Sequence, residues 1–126
     1  MIKKIMIVDD SPELTFTVKS LLENSYDNEY EVIIADGGEK CLELLKENKI
    51  PDLILLDIMM PGMDGWNVAA EIRKNDNWDK IPIVFLTAKT DPNSKNYGSI
   101  VSDDYIEKPF EIEDLKKRID DNMKKT

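Results

Sequence analysis

Short apolar runs alternate along this chain with segments whose apolar residues recur every three or four positions. The first run, Ile5-Met6-Ile7-Val8, stops at Asp9-Asp10. Ser11-Pro12-Glu13 then carries three helix-start signals: an N-cap hydroxyl, a proline at the first helical position and an acid in the first turn. Leu14, Val18, Leu21 and Leu22 follow at helical spacing and predict one buried face. Tyr30 to Ala35 predicts a second strand, broken by Asp36-Gly37-Gly38, after which Cys41, Leu42 and Leu45 mark a second helix. Leu53-Ile54-Leu55-Leu56, ending at Asp57, has no polar side to give to water. Such a strand belongs inside a parallel sheet covered by helices on both faces. Pro61-Gly62 and Asp64-Gly65 turn the chain, and Val68, Ala69 and Ile72 supply a third helix. Ile81 to Leu86 is a fourth strand ending at Thr87-Ala88, Tyr105-Ile106 a short fifth, and Ile112, Leu115 and Ile119 the last helix. Between them, positions 91–102 are rich in Asn, Ser and Gly, poor helix formers, and predict only a short or mobile fourth helix.

Five strand–helix pairs predict a three-layer α/β fold: a (βα)5, flavodoxin-like, doubly wound parallel sheet in one domain over 1–126. Open sheets of this kind bind ligands beyond the carboxyl ends of their strands, where the strand order reverses. The residues expected there are Asp9 and Asp10 after strand one, Asp57 after strand three, Thr87 after strand four and Lys108 after strand five. Taken singly, each has an ordinary role as a cap, a turn former or a solvated end. An order of 2-1-3-4-5 makes strands one and three neighbours and gathers the three aspartates into one pocket. Like charges held together out of water need a cation.

Composition narrows the chemistry. Among 126 residues, 41% are hydrophobic and 34% charged, and no stretch reaches the ~18–20 apolar residues of a membrane span. The absence of histidine removes Ser-His and Cys-His catalysis and every His-based metal site, and the single cysteine, Cys41, allows no internal disulfide and fits a reducing cytoplasm. A net charge of −9 argues against direct binding to nucleic acid or to an anionic membrane. Three carboxylates without Cys or His suit Mg²⁺ or another hard divalent ion. A lysine and a hydroxyl converging on them suit a phosphoryl group, and an aspartate can itself take that group as an acyl phosphate. Asp57 is the candidate acceptor.

The stretches Ile7-Val8-Asp9-Asp10-Ser11, Leu55-Leu56-Asp57-Ile58-Met59-Met60-Pro61-Gly62-Met63-Asp64-Gly65, Leu86-Thr87-Ala88 and Asp103-Asp104-Tyr105-Ile106-Glu107-Lys108-Pro109-Phe110 stand in register over nearly the whole chain. In them the chain resembles a response-regulator receiver domain of two-component signalling, of the stand-alone chemotaxis type. The resemblance implies that Asp57 accepts a phosphoryl group from a phosphohistidine on a sensor kinase or phosphotransfer protein. It implies that Asp9, Asp10, Asp57 and the backbone carbonyl of Met59 serve Mg²⁺, and that Lys108 and Thr87 contact the phosphoryl oxygens. Thr87 and Tyr105 would form the switch, and the Lys108-Pro109 bond would be cis. The expected output is a changed surface around the fourth helix, fifth strand and fifth helix that controls a downstream protein. Hydrolysis of the acyl phosphate would reset this switch, which is not a turnover enzyme. A monomer or weak phosphorylation-dependent dimer is expected.

Three other readings remain on the same fold. A phosphorylation-independent pseudo-receiver would usually have lost one of the five site residues. A flavin-binding protein would need a hydroxyl- or glycine-rich phosphate loop where Asp9-Asp10 stands, and a haloacid-dehalogenase-type phosphatase would want an acid where Met59 stands.

Overall fold

Side chains along a strand alternate between the two faces of a sheet, and here both faces are dry. The computed structural model describes residues 1–88 and 104–124. Its strands are β1 (Lys3–Val8), β2 (Tyr30–Ala35), β3 (Leu53–Asp57), β4 (Ile83–Ala88) and β5 (Asp104–Lys108), all parallel in the order β2-β1-β3-β4-β5. The described helices are α1 (Pro12–Ser25), α2 (Gly38–Lys46), α3 (Gly65–Lys74) and a C-terminal helix (Ile112–Met123). The expected helix within 91–102 lies outside the described residues.

Met6, Val8, Ile54, Leu56, Ile83 and Phe85 project to one face, where Cys41, Leu44 and Leu45 of α2 and Val68, Ala69 and Ile72 of α3 cover them. Ile5, Ile7, Leu53, Leu55, Val84 and Leu86 project to the other, against Val18 and Leu22 of α1 and Leu115 and Ile119 of the C-terminal helix. Burying each such side chain is worth roughly 2 kcal/mol of transfer free energy. Helices on both faces explain why β3 reads as an unbroken apolar run.

Helix starts follow the local signals. Ser11 caps α1, its hydroxyl accepting from the Leu14 N–H at 3.3 Å, with Pro12 at the first helical position. Asp64, expected in a turn, is also an N-cap: its carboxylate accepts from the Asn67 N–H at 2.9 Å. The inward faces differ from expectation by single positions. Leu21 is 38% exposed, whereas Thr15 is buried beside Val18 and Leu22. In α2, Leu44 is buried and Leu42 only partly so. In both helices the buried line is displaced from the apolar stripe, because contact with the neighbouring elements decides which residues are covered.

The edge strand β2 has a device of its own. Glu23 accepts from the Val32 N–H at 2.8 Å and Lys19 donates to the Val32 carbonyl at 2.7 Å, while the two side chains pair at 2.8 Å. An ion pair from α1 thus occupies the outward-facing backbone groups that would otherwise template another strand.

Candidate acceptor pocket at the carboxyl ends of the strands

Val8 pairs with Leu56, so β1 and β3 end in step and release Asp9 and Asp57 side by side. Asp57 in turn pairs with Leu86, and Ala88 pairs with Lys108, which puts Thr87 and Lys108 at the same sheet edge. Register alone therefore brings four of the five strand-end residues together. Carboxylate oxygens of Asp9, Asp10 and Asp57 lie within 4.8 Å of one another. Asp9 and Asp57 are 1% and 5% exposed, whereas Asp10 faces solvent.

One cation answers these acids among the described residues. The Lys108 ammonium sits 2.8 Å from Asp9 Oδ2 and 3.4 Å from Asp57 Oδ1. Asp9 Oδ1 also accepts the Ser11 N–H at 2.9 Å, and Asp57 Oδ1 accepts the Met59 N–H at 3.3 Å. Burial, and then the Asp9 charge, push the Asp57 carboxyl up to about 6 despite Lys108 and the Met59 N–H. Burial pulls the Lys108 ammonium down, but the Asp9 hydrogen bond and both carboxylate charges outweigh it and raise its affinity for the proton.

Thr87 supplies the second observation. Its side chain is fully buried and its Oγ1 has no hydrogen-bond partner among the described residues. A buried hydroxyl without a partner costs about 1–3 kcal/mol, so Thr87 is suited to donate to a group that enters the pocket. Three clustered oxygen acids and an idle donor fit a hard divalent cation together with an oxyanion. Tyr105 is partly buried and packs against the core on the α2–α3 face. The Lys108-Pro109 peptide bond is cis.

Beside Asp57, Met59 is 64% exposed and its loop frames an apolar recess of about 420 Å³ lined by Ile58, Met59, Met60, Pro61, Asp64 and Trp66. The Trp66 ring stands edge-on to Phe85 at 4.5 Å, anchoring α3 to β4. Beside Asp64, Gly65 reads in the sequence as a turn former only. A glycine at the first position of a capped helix, where helical geometry asks for no glycine, is the signal that space rather than turning matters there.

A family model described as "Response regulator receiver domain" matches residues 5–120. Among solved structures, the chemotaxis protein CheY4 of Vibrio cholerae superposes with a TM-score of 0.84 at 31% identity, over 97% of this chain and 99% of that one. A CheY-like response regulator receiver domain protein from Methanospirillum hungatei gives 0.76 at 38% identity, over 95% of this chain and 90% of that one. A curated Vibrio cholerae protein named "Probable cyclic di-GMP phosphodiesterase" is 38% identical over 117 residues, which are 91% of this chain. The chain spans only 25% of that relative's length. No described helix is long and apolar enough to cross a membrane.

Proposed function

The chain belongs to the response-regulator receiver family, and from that premise we propose that Asp57 is the phosphoacceptor of a two-component switch. The observation that carries the proposal is the meeting at one sheet edge of an Asp9–Asp57 pair, a bridging Lys108 and a Thr87 hydroxyl without a partner among the described residues. An Asp57 carboxylate oxygen forms a bond to phosphorus as the P–N bond of a donor phosphohistidine breaks, the electron pair returning to the imidazole. Attack of water at phosphorus later releases inorganic phosphate and regenerates the carboxylate.

Asp9, Asp10, Asp57 and the Met59 carbonyl would hold Mg²⁺, which when bound supplies positive charge against the carboxylates and the incoming phosphoryl oxygens. Lys108 leaves its pairing with Asp57 to meet a phosphoryl oxygen, and remains tethered by Asp9. The Thr87 hydroxyl donates to a second oxygen. That new contact draws on the end of β4, and Tyr105 on the neighbouring strand β5 follows it inward. The surface built on β5 and the C-terminal helix then changes its affinity for a downstream protein. The donor is a sensor histidine kinase or a phosphotransfer protein.

Intact mass after incubation with a small acyl-phosphate donor tests this. Wild type is expected to gain one phosphoryl group only with Mg²⁺, and Asp57→Asn to gain none. No addition to wild type at saturating Mg²⁺, with the small donor and with beryllofluoride alike, would instead favour a pseudo-receiver that signals without phosphate.

A further inference from the structure

The loop from Ile58 to Asp64 leaves the acceptor strand and returns to within van der Waals distance of it. Its closure is the Gly65 N–H, which donates to the Ile58 carbonyl at 2.9 Å. A Cβ built on Gly65 would lie 2.4 Å from the Asp57 carbonyl oxygen, 2.8 Å from the Ile58 Cα and 3.0 Å from the Asp57 carbonyl carbon. All three are backbone atoms, so no rotamer change relieves the overlap. Gly62, in the same loop, is the opposite case: its φ of +78° demands glycine for conformation, and nothing stands within 4 Å of its missing Cβ. Gly65 has no positive φ. Space alone requires it.

We propose that Gly65 is a positioning residue for the acceptor, its bare Cα letting the start of α3 close on the Asp57–Ile58 backbone so that the Met59 carbonyl is held on the same centre as the Asp57 carboxylate. The inference rests on the reading of Asp57 given above. Met59 lies inside the loop that the Gly65 N–H closes, and its own N–H is tied to Asp57 Oδ1. Relieving the overlap at Gly65 moves the backbone of Asp57 and Ile58, or opens the loop by lifting α3. Either way the two oxygens separate. Mg²⁺ demands near-octahedral ligands at about 2.0–2.1 Å and tolerates such shifts poorly. Displacements near 1 Å cost reacting groups about a hundredfold in rate.

The test compares wild type, Gly65→Ala and Ala69→Val by urea unfolding, Mg²⁺ calorimetry and acyl-phosphate labelling followed by mass. Ala69 is fully buried one turn further along α3, so its enlargement strains the same helix elsewhere. Gly65→Ala is expected to weaken Mg²⁺ binding at least about tenfold and to slow labelling similarly. Ala69→Val should lose stability yet bind Mg²⁺ within about twofold of wild type. Unchanged Mg²⁺ binding in Gly65→Ala, or equal weakening in both variants, would overturn the inference. Should Gly65→Ala not fold, hydrogen exchange in wild type decides: Mg²⁺ should slow the Gly65 N–H at least about tenfold more than the Cys41 N–H of α2. Equal slowing overturns it. Wild type that neither binds Mg²⁺ nor takes a phosphoryl group would instead sink the acceptor reading, and this inference with it.

Discussion

At the amino ends of β1 and β2, the carboxylates of Glu29 and Asp120 meet the ammonium groups of Lys3 and Lys116; at the carboxyl ends of β1 and β3, three carboxylates cluster and Lys108 pairs with two of them, Asp9 and Asp57. In the first cluster Lys3 lies 3.1 Å from Glu29 and 3.2 Å from Asp120, and Lys116 lies 3.3 Å and 2.6 Å from the same two acids. The Tyr30 hydroxyl adds a 2.6 Å hydrogen bond to Asp120, and Lys116 stands over the Tyr26 ring at 5.1 Å. Hydrogen bonding from Lys3 holds Glu29 below the usual carboxylate range. For Asp120 burial works the other way, but Lys116, Tyr30 and Lys3 outweigh it. Across the sheet, Asp57 is pushed up to about 6 and Thr87 has no hydrogen-bond partner among the described residues. One end is a closed ion network that ties the C-terminal helix to β1 and β2. Among the described residues the other is left short of positive charge and of an acceptor, which the cation and oxyanion proposed above would supply. Charge density alone does not distinguish them; compensation does.

Removing Lys108 should have the largest effect on this contrast. Lys108→Ala leaves Asp9 buried beside Asp57 with no counter-charge among the described residues. The expected loss is about 2 kcal/mol in Mg²⁺-free urea unfolding, below the usual range for a broken buried pair because Lys108 is 29% exposed and Asp57 can take up a proton. Lys116→Ala, whose acids keep Lys3, should cost about 0.5–1 kcal/mol. Equal losses would break the comparison.

Asp57→Asn should do the reverse and stabilise the Mg²⁺-free protein by about 1–2 kcal/mol at pH 7. The sign follows from the raised value. The folded state holds the Asp57 proton more tightly than the unfolded chain, so Asp57 makes wild type less stable as pH rises from about 4 to 6. The advantage of Asp57→Asn should therefore vanish below about pH 4. A gap that persists there, read from unfolding midpoints, would contradict the electrostatic account.

Mg²⁺ at about ten times its dissociation constant should stabilise wild type by about 1.4 kcal/mol, and Asp57→Asn by less, in thermal unfolding. The amino-end network has the opposite pH slope. Glu29 and Asp120 titrate below their unfolded values, so their contribution is present above about pH 4–4.5 and is lost as pH falls through the folded values. Asp120→Asn should flatten that acid limb and leave the Asp57 window untouched.

The smallest effect concerns the β2 edge. Glu23→Ala should cost about 0.5–1 kcal/mol and speed hydrogen exchange at the Val32 amide, with Ile34 as the reference.

Much of this protein was legible in one dimension because its physics is local or periodic. The two-faced apolar run of β3, the capped start at Ser11-Pro12 and the polar residues that follow each strand specify a parallel sheet, and with it the edge where Asp9, Asp10, Asp57, Thr87 and Lys108 meet. Sequence separation does not obscure that meeting, since parallel strands all deliver their ends to one side. The folded structure alone decided what depends on distance across elements. Leu21 or Thr15 facing the core turns on where α1 touches the sheet. Lys19 and Glu23 look like an ordinary helical pair until Val32 is seen beneath them. The pairing of Lys3 and Glu29 with Lys116 and Asp120 joins residues about ninety or more positions apart, and no periodicity announces it. Gly65 is read as a turn from its neighbours and as a close approach only when the Asp57 carbonyl is in place. Backbone order is written in the spacing of side chains, whereas compensation of charge and exclusion of a single methyl group are settled by distances of a few ångströms that only packing sets.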